Sequence, residues 1–344
     1  MTLIDSAVTS PTPQGPADQG ATLWQRVLRY RPPQRYIPVL ATAVVLVTLY
    51  AIGAAKYDRF GRPQVILNLF IDNSFLLVVA AGMTFVILTG GIDLSVGAVV
   101  ALTTVVSGTM LAKSWPAFAV VPVALVIGAL LGLTMGSVIH FFDIQPFIVT
   151  LAGLFLARGI TYAISTTQIP IRDPFWRFMS QERIRFGRQS ITFSVVVAAV
   201  VVVIGILVLA YSRLGRTVYA IGGNEQSAIL MGLPVGRTKM AVYTISGFCS
   251  ALGGLLLTFY TPSGDPIQGI GMELDAIAAV VIGGTLLTGG SGYLFGTVLG
   301  VATLGVIKTI LNFGNLSPWW ARIVVGMLLF AFILLQRLVI ARRR

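Results

Sequence analysis

Residues 191–211 read ITFSVVVAAVVVVIGILVLAY, with no charged side chain among them. At about 1.5 Å per residue, a helix of this length is about 31 Å long, close to the thickness of a bilayer's hydrocarbon core. A helix that is apolar on every side has no face to offer water, so it belongs in lipid or deep inside protein. The rest of the chain decides for lipid, because such stretches recur throughout it. On the N-terminal side they are Ile37–Ala55, Ile66–Gly90, Leu94–Ala112, Pro116–Ile139 and Pro146–Ser165. On the C-terminal side they are Met240–Tyr260, the short Glu273–Leu287, Gly296–Asn312 and Trp319–Gln336. The expectation is an all-α, polytopic transmembrane bundle of about ten helices.

Composition agrees. Of 344 residues, 56% are hydrophobic and 10% charged, and mean hydropathy is +0.88. Soluble domains carry about 25% charged residues. The net charge of +12 comes without basic runs interleaved with aromatics, which argues against nucleic acid. Cationic loops facing anionic lipid account for it. Loop Lys and Arg set orientation. With both termini cytoplasmic, the inner side holds Arg26, Arg29, Arg31 and Arg35, then Arg213, Arg216, Arg237 and Lys239, then Arg337 and Arg342–Arg344. The outer side holds fewer, in short loops and in the polar, basic loop 166–190. Residues 1–36, rich in Pro, Ser, Thr and Gln, read as a disordered, basic cytoplasmic tail. Residues 37–340 form the transmembrane domain. A polar segment at 212–239 interrupts it on the inner side.

Charges inside a bilayer cost several kcal/mol, roughly 2.5–3.5 on insertion scales, and survive where they face protein or water. Asp72 and Asn73 lie in the second span, Glu273 and Asp275 open the eighth, and Arg158, Lys308 and Arg322 lie in the fifth, ninth and tenth. Asp72 and Asn73 read equally as structural groups or as the lining of a hydrated cavity. Asp93 follows the Gly90-Gly91-Ile92 turn and precedes Leu94-Ser95-Val96-Gly97, a position suited to capping the third helix. Glu273 is placed to cap the eighth in the same way. Gly128, Gly132 and Gly136 repeat every four residues, the pattern of close helix contact. Gly283-Gly284 and Gly289-Gly290 suggest a broken or re-entrant stretch. Leu88-Thr89-Gly90-Gly91 is echoed by Leu287-Thr288-Gly289-Gly290. In the inner segment, Asn224 can cap a short helix from Glu225 to Met231 that Gly232 stops. Such a helix makes a handle for a cytoplasmic partner, or an ordinary connection.

No G-x-x-x-x-G-K-[ST] occurs, so the chain has no phosphate-cradling loop of that kind. One Cys (Cys249) and one His (His140) give no disulfide, no cysteine cluster, no two-His metal site and no catalytic dyad. Nothing reads as an enzyme or as a metal centre.

The string Gly90-Gly91-Ile92-Asp93-Leu94-Ser95-Val96-Gly97 resembles the signature of the ribose/xylose/arabinose-type permeases of bacterial ATP-binding-cassette importers. Ala220-Ile221-Gly222-Gly223-Asn224, with Ala228 and Gly232, resembles that family's cytoplasmic coupling loop. Glu273-Leu274-Asp275-Ala276-Ile277-Ala278, with Val281-Ile282-Gly283-Gly284, is similar to a third hallmark. The likeness covers roughly residues 60–340. Asp72-Asn73, Ile169-Pro170-Ile171 and Ser317-Pro318-Trp319-Trp320 are similar to a permease of the galactofuranose importer. The resemblance implies a multi-pass protein of the bacterial inner membrane and import of a monosaccharide such as galactofuranose. It implies a second permease subunit, either a paralogue or a second copy. It also implies an ATP-binding subunit that holds ATP and Mg, and a periplasmic sugar-binding protein. It gives Gly222, Gly223, Asn224, Glu225, Ala228 and Gly232 to coupling, and Asp72, Asn73, Glu273 and Asp275 to the pathway or its gates. An ion-coupled secondary sugar transporter is the alternative, with Asp72 and Asp275 as its titrating groups.

Overall fold

The computed structural model describes residues 36–317 and 319–341. The tail expected over 1–36, apart from Tyr36, lies outside the described residues, as do Pro318 and Arg342–Arg344. The chain is a helical membrane bundle. Prolines open several helices, where the missing N–H has no intrahelical partner to lose. This holds for α1 (Ile37–Lys56), α2 (Pro63–Leu88) and, further on, α5 (Pro146–Ile164). Between them run α3 (Val96–Ala112) and α4 (Ala117–Phe141). The stretch quoted at the outset becomes α7 (Phe193–Tyr211). Two short helices, α8 (Arg213–Gly223) and α9 (Glu225–Leu230), lead to α10 (Val235–Tyr260). Then come α11 (Met272–Ile282), α12 (Leu294–Phe313) and α13 (Trp319–Ala341). Seven of these are long and apolar enough to cross a bilayer: α1, α2, α4, α5, α7, α10 and α12. Apolar stretches in α3 and α13 are shorter.

Apolar helices cannot sort themselves by polarity, so residue size does the sorting. α10 packs on α4, α2 and α3. Gly128, Gly132 and Gly136 of α4 all face it: a Cβ on Gly132 would overlap the Tyr243 carbonyl, and one on Gly136 would lie 2.9 Å from the Met240 Cα. The spacing of four therefore does what the sequence suggested. α2 is central, with 89% of its apolar window buried, against 17% for the peripheral α1. Cys249 is buried in α10, against Gly82 of α2.

The expected eighth span, Glu273–Leu287, is not one helix. α11 stops at Ile282, and residues 283–293 are non-helical. Its 11 residues span about 16 Å, half of what a crossing needs. The other half is the irregular segment 261–271, which descends from the outer end of α10 along α3. A Cβ on Gly264 would sit 2.6 Å from the Thr104 carbonyl oxygen, and one on Gly269 would overlap the Gly97 carbonyl. The eighth crossing is thus an irregular stretch, turned over 266–271, followed by a half-helix. The expected break at Gly283-Gly284 is where the half-helix ends.

The external loop 166–190 is also more ordered than its composition suggests. It contains α6 (Pro174–Gln181), capped by Asp173, whose carboxylate accepts from Phe175 N at 2.9 Å and Trp176 N at 3.2 Å. Trp176 is fully buried and donates its indole N–H to Thr258 at 2.9 Å. A hairpin of β2 (Arg183–Phe186) and β3 (Gln189–Thr192) follows. Gln64 at the head of α2 holds it by two bonds to the Ser190 backbone, each 3.0 Å. Upstream, β1 (Ile169–Pro170) pairs antiparallel with β4 (Ser263–Gly264). The long crossings fit the all-α expectation, while the short strands belong to the loop before α7 and to the head of segment 261–271.

Candidate functional site: a broken crossing and the segment beneath it

Non-helical backbone at membrane depth persists only where protein or water satisfies it. In 261–271 the intramembrane Arg158 does this. Its Nη1 donates to the carbonyls of Pro266 at 2.6 Å and Gln268 at 3.0 Å. Thr104 Oγ1 accepts from Asp265 N at 3.3 Å. At the far end of α11, the carbonyls left without intrahelical partners are met by side chains. Thr42 of α1 donates to Ile282, and Gln336 of α13 donates to Val281 at 3.2 Å.

The start of α11 lies inside the bundle, beside Gly97, the second residue of α3. The positive end of a helix dipole is therefore presented at membrane depth, as in transporters whose sites are built from discontinuous helices. Glu273 and Asp275 occupy its first turn. Glu273 does not cap it. The cap position is Gly271, with φ +80° and no side-chain bond. Glu273 Oε2 lies over Gly97, where a Cβ would overlap it, and it has no hydrogen-bond partner among the described residues. Asp275 points to the other side of the half-helix and pairs with Lys308 of α12 at 3.0 Å. A cavity of about 610 Å³ opens there, lined by Asp275, Lys308, Asn312 and Arg322 and by apolar side chains of α11 and α13. Arg322 also lies over the Trp319 ring, 4.8 Å from its centroid. Two of the intramembrane cations singled out in the sequence thus meet Asp275 at one cavity, and the third serves the re-entrant segment.

Asp93 is fully buried and more than a helix cap. The cap residue of α3 is Ser95, whose side chain makes no capping bond. Asp93 Oδ1 takes both Ser95 N (2.9 Å) and Ser95 Oγ (2.6 Å), while Oδ2 accepts from Ser246 Oγ of α10 at 2.7 Å. The carboxylate fastens the start of α3 to the middle of α10. Gly90, at φ +81°, supplies the left-handed turn that leads to it.

The structure separates Asp72 from Asn73. Asp72 accepts from Tyr260 at 3.2 Å, with Arg183 of the hairpin within electrostatic reach. Asn73 is buried, donates to the Leu69 carbonyl at 2.8 Å and sits against Gly305 of α12. The two do not line one cavity together, because one helical step turns a side chain by about 100°. Neither reaches Glu273 or Asp275 among the contacts described.

On the inner side, α8 was not foreseen. Its cap was readable: Ser212 accepts from Gly215 N at 3.0 Å, and Val218 and Ile221 form its buried face. α9 is the short helix expected from Glu225, one residue shorter. Asn224 Oδ1 accepts from Ser227 N at 2.8 Å, and Gly232 has φ +72°. Ala228 is buried with Ile221 and Val235, so it seats α9 rather than meeting a partner. Glu225 pairs with Lys239 of α10 at 2.6 Å. Leu230, 87% exposed, and its neighbours Ile229 and Met231 form an apolar tip on this polar face.

Residues 65–333 match the family described as branched-chain amino acid transport system / permease component. The chain belongs to that family. Over 313 residues this permease is 44% identical to the inner membrane ABC transporter permease protein YjfF of Escherichia coli, covering 88% of this chain and 93% of that one. It is 41% identical to the fructose import permease protein FruG of Bifidobacterium longum, with 90% and 93% covered. It is 36% identical to the ribose import permease protein RbsC of Haemophilus influenzae, with 87% and 93% covered. No solved structure matches the permease. The family description names amino acids, whereas these relatives are named for sugars or for no substrate. They are transport permeases, not enzymes, and the ion-coupled alternative finds no counterpart among them. The chain is therefore a multi-pass inner-membrane permease of the ATP-binding-cassette type.

Proposed function

We propose that this chain is one of two permease subunits of an importer that carries a monosaccharide inward across the inner membrane. The observation that carries this reading is the junction of two features in one chain. One is a half-helix whose first turn holds Glu273 and Asp275 at membrane depth. The other is a capped inner segment, α8–α9, with an exposed apolar tip. The first suits a polar solute, and the second suits a cytoplasmic motor. A periplasmic sugar-binding protein delivers the solute, and the ATP-binding subunit holds ATP and Mg. The permease makes no covalent bond to the sugar. Relatives named for fructose and ribose import support a sugar over an amino acid. Galactofuranose is the specific sugar we favour. Two of the three strings that suggest it, Ile169-Pro170-Ile171 and Asp72-Asn73, lie at or near the outer end of the bundle.

Uptake and ATP hydrolysis in proteoliposomes test this. The vesicles contain the chain, the ATP-binding subunit and permease encoded beside it, and the binding protein, screened over pentoses and hexoses in both ring forms. The expected result is uptake that needs every component and prefers galactofuranose. Uptake by this chain alone, indifferent to ATP, would overturn the reading. A clear preference for another sugar would overturn only the choice of galactofuranose.

The same vesicles test Glu225. Glu225→Lys sets two cations together where the pair with Lys239 now joins α9 to α10. Sugar-stimulated ATP hydrolysis is expected to fall several-fold while membrane insertion is unchanged. If Lys239→Glu in the same chain restores stimulation, Glu225 acts as a strut within the permease. If it does not, Glu225 acts on the ATP-binding subunit. Unchanged stimulation in the single variant would remove Glu225 from coupling altogether.

A further inference from the structure

Glycines from three pairs far apart in sequence, 90–91, 222–223 and 289–290, meet in space: Gly90, Gly222, Gly223, Gly289 and Gly290. Gly222 lies at the end of α8. A Cβ there would overlap the Leu88 carbonyl oxygen and the Gly290 nitrogen. Gly290 N donates to that same Leu88 carbonyl at 2.9 Å. A Cβ on Gly289 would lie 2.7 Å from Gly90 N and 2.9 Å from the Gly222 Cα. Gly90, Gly289 and Gly290 all have positive φ, of 81°, 83° and 71°, which L side chains rarely adopt. A second tie runs beside the first: Tyr219 of α8 donates to the Gly292 carbonyl at 2.9 Å. The Leu-Thr-Gly-Gly echo noticed in the sequence is thus two turns that touch each other, with α8 wedged onto both.

Contacts between side chains can slip by changing rotamer. Backbones in direct contact have no such slack, so a displacement of one displaces the others. From Gly90 the chain runs directly to Asp93 and the head of α3. From Gly289 it runs back through residues 283–288 to α11, which carries Glu273 and Asp275. We propose that Gly222 is a positioning residue that passes movement of the coupling segment to both re-entrant turns at once. It does so by backbone contact inside the permease and not by touching the ATP-binding subunit. This rests on the reading of α8–α9 as the coupling segment. Gly223 provides the comparison, because a Cβ there meets nothing within 4 Å and would point into whatever docks on this face.

The test compares Gly222→Ala with Gly223→Ala in the full complex, reading sugar taken up per ATP hydrolysed. Co-purification with the ATP-binding subunit serves as the check on assembly. Gly222→Ala is expected to lower that ratio by about 5- to 150-fold, the usual span of coupling between distant sites. Gly223→Ala is expected to lower it less. An unaltered ratio for Gly222→Ala, or an equal fall for both, overturns the proposal. If Gly222→Ala does not assemble, hydrogen exchange on the wild-type complex decides. The hydrogen-bonded amides of Leu286, Gly289 and Gly290 are expected to stay protected with and without ATP, since the junction moves as a unit. Loss of that protection on adding ATP overturns it. A wild-type complex with no ATP-driven uptake would instead count against the coupling assignment itself, whatever the glycines do.

Discussion

Arg158→Leu is expected to yield a protein that enters the membrane but cannot hold its eighth crossing together. The guanidinium is the donor for two carbonyls of segment 261–271, at Pro266 and Gln268, and leucine offers none. Each buried acceptor left alone costs about 1–3 kcal/mol, more where the lost donor was charged. The expected loss is therefore about 2–5 kcal/mol, a large part of the 5–15 kcal/mol by which folded proteins are ordinarily stable. The readouts are the melting temperature of the purified protein and protease access to 261–271. Arg158→Lys should fall between, because an ammonium is a point donor without the planar fork of arginine. Wild-type melting and wild-type protection in the leucine variant would show that the segment is held by something else.

Asp93→Ala is expected to be comparably severe for a different reason. Three donors converge on this one carboxylate: the Ser95 amide and the Ser95 and Ser246 hydroxyls. Alanine strands the amide at the head of α3 and unfastens α3 from α10. Hydrogen bonds to a charged group are worth about 1.5–3 kcal/mol each. Removing the carboxylate also removes its own burial cost, which brings the expected net loss to about 3–5 kcal/mol. Asp93→Asn should lose less, since one oxygen remains to accept and a serine hydroxyl can turn to accept from the new amide. Ser246→Ala should lose least, as it breaks only the tie to α10. Yield of monodisperse protein and melting temperature should follow that order. A Ser246→Ala variant as damaged as Asp93→Ala would refute this account of the carboxylate.

The parts of this fold that depend on one stretch of chain were legible in sequence. The long apolar runs became helices within a few residues of their expected ends. Gly128, Gly132 and Gly136 mark a helix contact because their spacing puts them on one face. Asn224 and Gly232 bracket a short helix because capping is a local matter. What escaped depends on partners distant in sequence. The non-helical half of the eighth crossing is one such case: the glycines at 283–284 announced a break, but only packing against Gly97, Thr104 and Arg158 shows that 261–271 enters the bundle. Arg158 read as a charge that must face protein or water, and its partners are backbone carbonyls, which carry no signature in the sequence. Asp72 and Asn73 read as a pair because they are adjacent, although the helix turns them apart. In the outer loop, Asp173-Pro174 is a helix start overlooked beside so many arginines.

The half-helix also bears on how the protein is made. A run of 11 residues behind an irregular segment cannot enter lipid by its own hydrophobicity, since stable insertion takes about 20 apolar residues. α3 and the Arg158-bearing α5 precede it in synthesis, so the trough that receives 261–271 exists before the segment emerges. The lock at its far end does not, because Gln336 lies on the last helix. The eighth crossing is therefore completed last, when translation is nearly over. A truncated or stalled chain would carry most of its crossings in the correct orientation and still lack the lock on the half-helix.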